Sequence, residues 1–144
     1  MGKKRIIKKS GHEVGAGAKA RALGRTPKKK IDRGILHVRA TYNNTALLLT
    51  DSAGNAVLSS SSGALGFKGS KKGTPYAAGK VAELLAEKAQ SFGLKEVDVI
   101  VKGVGSGRES SVRSFITKGI NISSIRDKTP VPFGGPKPKK PRRV

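Results

Sequence analysis

Positive charge is spread so unevenly along this chain that only its middle can supply a folded core. Residues 1–30 hold 11 Lys and Arg against the single acid Glu13, and residues 128–144 hold six Lys and Arg and no acid. Between them, residues 31–127 carry 13 basic and eight acidic side chains, so the two ends account for +16 of a formal charge of +21. Both ends are rich in Gly, Pro, Lys and Arg and poor in large apolar side chains. Neither can bury enough surface to offset its ordering entropy. Three parts follow: a basic extension over 1–30, a folded unit over 31–127, and a basic Pro-rich tail over 128–144. Charge this one-sided repels itself and attracts polyanions, so the ends read as arms that order on nucleic acid.

Within the middle, residues 34–42, GILHVRATY, alternate: Leu36, Val38, Ala40 and Tyr42 are expected on one face, His37, Arg39 and Thr41 with Ile35 on the other. Asn43 and Asn44, residues that tolerate left-handed backbone, make a turn. TALLLTD and AVLSSSS are two further strands around the turn DSAGN, and the serine run suggests no chemistry. Glycines and lysines over 63–73 argue against regular structure. Thr74 then suits an N-cap and Pro75 the first helical position. Ala77, Val81, Leu84, Leu85, Lys88 and Phe92 share a helical face, with the Lys88 stem snorkelling, and Gly93 ends the helix. EVDVIVKG is a buried strand with Val97, Val99 and Val101 facing one way. Val112, Phe115 and Ile116 mark a second helix closed by Gly119, and INISSIRD is a weak fifth strand. The order β-β-β-α-β-α-β predicts an α/β fold, a mixed five-stranded sheet with helices packed on it and right-handed crossovers.

The stretch VKGVGSGRES, residues 101–110, joins a strand to a helix through glycines, a geometry whose backbone N–H groups suit phosphate. A dinucleotide fingerprint fails there because Arg108 occupies the last glycine position, and no Walker A motif exists, since Gly79-Lys80 is followed by Val81. The stretch GFKGSKKGTPY also follows a strand and opens a helix, and it brings Lys68, Lys71 and Lys72. In a right-handed α/β unit both turns emerge on one edge of the sheet. Loop amides, helix N-termini and the planar fork of Arg108 would then face a polymer's phosphates, flanked by basic arms. Few aromatic residues and no stacking platform point to recognition by backbone and shape.

Other classes fit poorly. The chain has no Cys, and His12 and His37 lie far apart without ligand-like neighbours, so neither metal nor cofactor is expected. No apolar run approaches the roughly 18 residues of a membrane span. The start, MGKKRIIKKS, turns basic after two isoleucines, unlike a secretory leader, so an intracellular location is expected. A ribonuclease-H-type nuclease would need clustered carboxylates. Here Asp98 is isolated, and Glu83 and Glu87 are explained by pairing with Lys80 and Lys88. No nucleophile elbow occurs either, so an enzyme is not expected. The rival from another class is a nonspecific binder that uses charge alone.

Four motifs in order, ATYNNTALLLTD, GFKGSKKGTPYAA, VKGVGSGRES and TPVPFGGPKPKKPRRV, closely resemble the small-subunit ribosomal protein eleven family of bacterial type, from about Gly34 to Val144. The resemblance implies a ribonuclease-H-like sheet without the active site. It implies contact with small-subunit rRNA in the platform near the mRNA exit path and close to the mRNA–rRNA pairing region. It also implies neighbouring platform proteins as partners, a bacterial cytoplasmic ribosome as location, no membrane and no homo-oligomer. Onto this chain the family's NNT turn maps to Asn43, Asn44 and Thr45, its GFRGSRK loop to Gly66 through Lys72, and its GPGPGRES loop to Gly103 through Ser110. Residues and resemblance together mark as rRNA contacts Arg39, Asn43, Asn44, Lys68, Ser70, Lys71, Lys72, Thr74, Gly103, Gly105, Gly107, Arg108, Arg126, Lys139, Lys140, Arg142 and Arg143. The chain departs from the family pattern in three places. Val104 and Ser106 replace prolines, which predicts a less rigid loop before RNA binds. Phe133-Gly134-Gly135 replaces His-Asn-Gly, and the first thirty residues are longer than usual.

Overall fold

A computed structural model describes residues 30–141; the extension up to residue 29 and residues 142–144 lie outside it. Alternation turns residues 33–61 into a meander of three strands, β1 (Arg33–Ala40), β2 (Thr45–Asp51) and β3 (Ala56–Ser61). After a 3₁₀ turn at Gly69–Gly73 come α1 (Pro75–Ser91), β4 (Glu96–Lys102), α2 (Gly107–Thr117) and β5 (Asn121–Asp127). The five strands form one mixed sheet in the order β3-β2-β1-β4-β5, with β1 antiparallel to β2 and parallel to β4, and β4 parallel to β5. The expected element order and fold class hold.

One face of the sheet is apolar: Leu36, Val38 and Ala40 of β1, Leu47 and Leu49 of β2, and Val97, Val99 and Val101 of β4 are all buried. Both helices pack on this face. The buried stripe of α1 is built of small residues more than the periodicity suggested, with Ala78, Ala82, Ala86 and Ala89 joining Ala77, Val81 and Leu85. Leu84 is half-buried at the margin of the core. Small side chains let α1 sit close to the sheet and to α2, where Phe115 is fully buried. Lys88 is half-buried, and desolvation pushes its ammonium below the usual lysine range. Gly93, Gly119 and Gly54 have positive φ at the chain reversals the sequence suggested.

Several local expectations are corrected. Tyr42 does not share the inner face; β1 ends at Ala40 and the Tyr42 side chain stands 78% exposed in the turn. Among the described residues no non-glycine has positive φ, so Asn43 and Asn44 do not close their turn with left-handed backbone. Thr41 closes it instead: its N–H and hydroxyl both donate to the Asn44 carbonyl, and the hydroxyl accepts from Asn44 N–H. Regular structure appears at Gly69–Gly73, where Thr74 N–H and hydroxyl both donate to the Lys71 carbonyl. Ile116 is half exposed rather than core. Glu83 does pair with Lys80 at 2.9 Å, but Glu87 reaches across to Lys118 at 2.8 Å, not to Lys88.

Candidate nucleic-acid interface

Strand direction gathers the loops. β1, β4 and β5 run parallel and end at one edge of the sheet, where β2 begins and β3 ends. The turn 41–44, the loop 62–74, the glycine turn 103–106 and the start of the tail at Lys128 therefore share that edge, as the two strand–turn–helix signals implied.

The turns are welded by backbone contact. A Cβ on Gly73 would lie 2.2 Å from the Tyr42 carbonyl oxygen, one on Gly103 2.0 Å from that of Ala40, and one on Gly105 2.2 Å from that of Thr41. Only glycine permits such approach. Gly107 likewise abuts the Thr45 hydroxyl, with 2.3 Å left for a Cβ. Ser106 donates its hydroxyl to the Gly73 carbonyl at 2.8 Å and bridges two turns. Ser62 bridges a third. Its buried hydroxyl accepts from Thr45 N–H at 3.2 Å and lies 2.7 Å from the Lys72 carbonyl and 2.5 Å from Asn44 Oδ1. One proton serves those two acceptors in turn. A serine run that carried no chemistry in sequence thus holds the Asn44 turn against the lysine loop.

On this frame Lys68, Ser70 and Lys71 are exposed and Lys72 is half-buried; Asn43 is exposed and Asn44 half-buried. Thr74 caps α1 by accepting from Ala77 N–H at 3.3 Å. Arg39 is exposed beside Lys102 on the sheet face that the helices leave open, and Arg126 is exposed on β5. On that open face His37 is held below the usual histidine range by burial first, then by Lys102 and Lys128. It stays neutral at pH 7. Lys139 and Lys140 are exposed in the tail, while Arg142 and Arg143 lie outside the described residues.

Two expectations about the glycine turn need correction. Two of its amides are already taken: Gly103 N–H donates to the Thr129 hydroxyl at 3.2 Å and Gly105 N–H to the Ala40 carbonyl at 3.0 Å. Nor is the Arg108 fork free. It donates to the Gly103 carbonyl and to the Thr129 hydroxyl, and it pairs with Asp127. Asp127 in turn accepts from the Thr129 hydroxyl at 2.6 Å and the Thr129 N–H at 2.9 Å. The Thr129 hydroxyl, then Arg108, hold the Asp127 carboxyl far below the usual carboxylate range. Arg108, Asp127 and Thr129 together form a latch that fastens the root of the tail to the glycine turn. Asp127 and Thr129 escaped the sequence reading because an acid near a basic tail looks incidental until the sheet brings it beside Arg108.

Among the described residues no helix is long and apolar enough to cross a membrane. A family model described as Ribosomal protein S11 matches residues 34–143.

Proposed function

Because this chain belongs to the ribosomal protein S11 family, we propose that its loop edge and basic arms are the surface by which it holds rRNA. Members are structural proteins of the small ribosomal subunit that bind its rRNA alongside other ribosomal proteins; the family is structural, not enzymatic. One observation carries the assignment to this edge. Lys68, Lys71 and Lys72 lie on one short loop at this edge where, among the described residues, no carboxylate pairs with them, and the tail leaves from the same edge. The folded middle docks as a preformed body. Lys68, Lys71 and Lys72, with Ser70, Thr74, Asn43 and Asn44, meet phosphates and sugars, while Gly103, Gly105 and Gly107 serve the contact by packing the turns that present them. Arg39 and Arg126 flank the contact, and Lys139, Lys140, Arg142 and Arg143 thread between RNA helices. Arg108 acts chiefly by aiming the tail. The extension 1–30 is a second arm. The seat is the platform of a bacterial-type cytoplasmic subunit, near the mRNA exit path and neighbouring platform proteins.

Footprinting the full chain on small-subunit rRNA, in competition with bulk duplex DNA, tests this. Protection confined to a few adjoining rRNA helices and resistant to DNA is expected. Displacement by DNA at equal nucleotide concentration would leave a charge-only binder.

A further inference from the structure

Behind the loop edge, α1 and α2 enclose a groove of about 420 Å³ that opens toward that edge at Pro75 and Ser106. One wall is the ring of Tyr76, 63% exposed. Buried Phe67 meets this ring edge-on, with centroids 6.2 Å apart and planes at 85°, and the Lys80 ammonium lies 5.7 Å from its centroid. The ring is therefore held without being covered. Small residues make room beside it: a Cβ on Gly79 would already lie 3.0 Å from Ser114 Oγ. The Ser110 hydroxyl is buried with no hydrogen-bond partner among the described residues. An unpaired buried hydroxyl is rare in a native fold, and a turn about χ1 would aim it at an occupant. Glu109 and Arg113 are exposed on the rim; Glu83 also lines the groove but is paired with Lys80 at 2.9 Å.

We propose that this groove takes one unpaired nucleobase of the rRNA, stacked on Tyr76. The proposal rests on the reading of the loop edge as an rRNA interface and deepens it by adding a base contact to a backbone one. A phosphate has no use for an aromatic wall, whereas a splayed-out base stacks on one readily. The Glu109 carboxylate only accepts, so it favours a base with an exocyclic amine; the serine hydroxyls can donate or accept at the rest of the edge. Arg113 stands where the phosphate of the same nucleotide would pass.

The chain has no Trp and two Tyr, so in a Tyr42→Phe variant all tyrosine emission comes from Tyr76. Titrating that variant with a small-subunit rRNA fragment should quench the emission, and one unpaired nucleotide should lose reactivity toward base-modifying reagents. In the full chain, Tyr76→Leu should weaken binding about tenfold, the order expected for one lost base stack. The slope of log K against log salt should stay the same because no phosphate contact is removed. Tyr76→Phe should stay within about twofold of wild type, since the ring is kept. Unquenched emission at saturation, wild-type affinity in Tyr76→Leu, or a loss that tracks the salt slope would each overturn the groove while the rRNA reading stands. Wild-type chain binding scrambled RNA as tightly as the fragment would overturn that reading and the groove with it.

Discussion

At the end of the sheet where β1 and β4 begin, charges find each other. Arg33 pairs with Glu96 at 3.1 Å and Lys118 with Glu87 at 2.8 Å, and Asn55 donates twice to the Asp51 carboxylate. At the loop edge, by contrast, Lys68, Lys71 and Lys72 have no carboxylate partner among the described residues, and the ion pair there, Arg108 with Asp127, fastens the tail. A modest net charge on the folded middle therefore conceals a strongly one-sided object. Asp51, Glu87 and Glu96 lie toward one end, while at the other the cations outnumber Asp127 and Glu109, and the field there steers a polyanion to it. Close packing marks the welded turns in particular: Gly73, Gly103 and Gly105 are pressed against backbone, while Gly54 and Gly93 at the opposite end have open space around them.

The largest effect should come from the tail. Removing residues 130–144 takes away Lys137, Lys139, Lys140, Arg142 and Arg143 but leaves Thr129 and the latch. With roughly eight phosphate contacts, the intact chain should lose about three orders of magnitude or more in rRNA affinity between 50 and 200 mM salt. The truncated chain should show a log–log slope shallower by about four. Neutralising the far end instead, by Lys118→Ala, should leave the slope unchanged. A truncated chain with the original slope would move the phosphate contacts off the tail.

Glycines at the two ends should differ next most strongly in what they tolerate. Gly103 has φ +101°, and its Cβ would lie 2.0 Å from the Ala40 carbonyl; Gly54 has φ +90° and nothing within 4 Å. Gly54→Ala should cost about 1–2 kcal/mol of stability, the strain of backbone alone. Gly103→Ala must also push β1 and β4 apart and should cost more than about 3 kcal/mol. Denaturant melts of the two variants decide it. Equal losses would mean that the welded turns relax freely.

Much of this was legible in the sequence. β1 to β5 and both helices follow from alternation, the Thr74-Pro75 start and the closing glycines, and the shared edge follows from chain direction alone. What escaped was pairing between residues far apart in the chain. Periodicity says that Arg108 opens a helix, but only the parallel placement of β5 beside β4 sets Asp127 beside it, 19 positions on. The glycines of 103–107 suggest a phosphate cradle in sequence, and the fold adds that they are closely packed, because a sequence shows that a side chain is missing and not what occupies its place. Nothing in the spacing singles out Tyr76; only the fold shows its ring exposed with buried Phe67 edge-on against it.

The latch gives effects of intermediate size. Arg108→Ala removes charged hydrogen bonds and should cost about 1–3 kcal/mol of stability. It should weaken rRNA binding as well, because the tail root is freed. A stability loss is the departure from expecting a free phosphate fork. Asp127 adds a pH signature. Its folded pKa is depressed, so its stabilising contribution is complete above the unfolded carboxylate value of about 3.9 and is lost as pH falls through and below it. The melting-temperature gap between wild type and Asp127→Asn should be constant above about pH 5 and narrow below about pH 4. A gap that ignores pH would show that the carboxylate charge does not hold the latch.

The smallest effect belongs to the far end. Arg33 and Glu96 are 63% and 40% exposed, so water screens their attraction and Arg33→Ala should change stability by no more than about 1 kcal/mol. It should also leave rRNA affinity within about twofold, since a residue at this end meets no phosphate and contributes little counterion release. Measured beside Lys71→Ala, which should reduce the salt slope by about one, the pair isolates position from charge. Both substitutions remove a single cation from the same folded unit. If Arg33→Ala flattened the slope as much as Lys71→Ala, the RNA would be responding to total charge, and the division between the two ends would have no functional meaning.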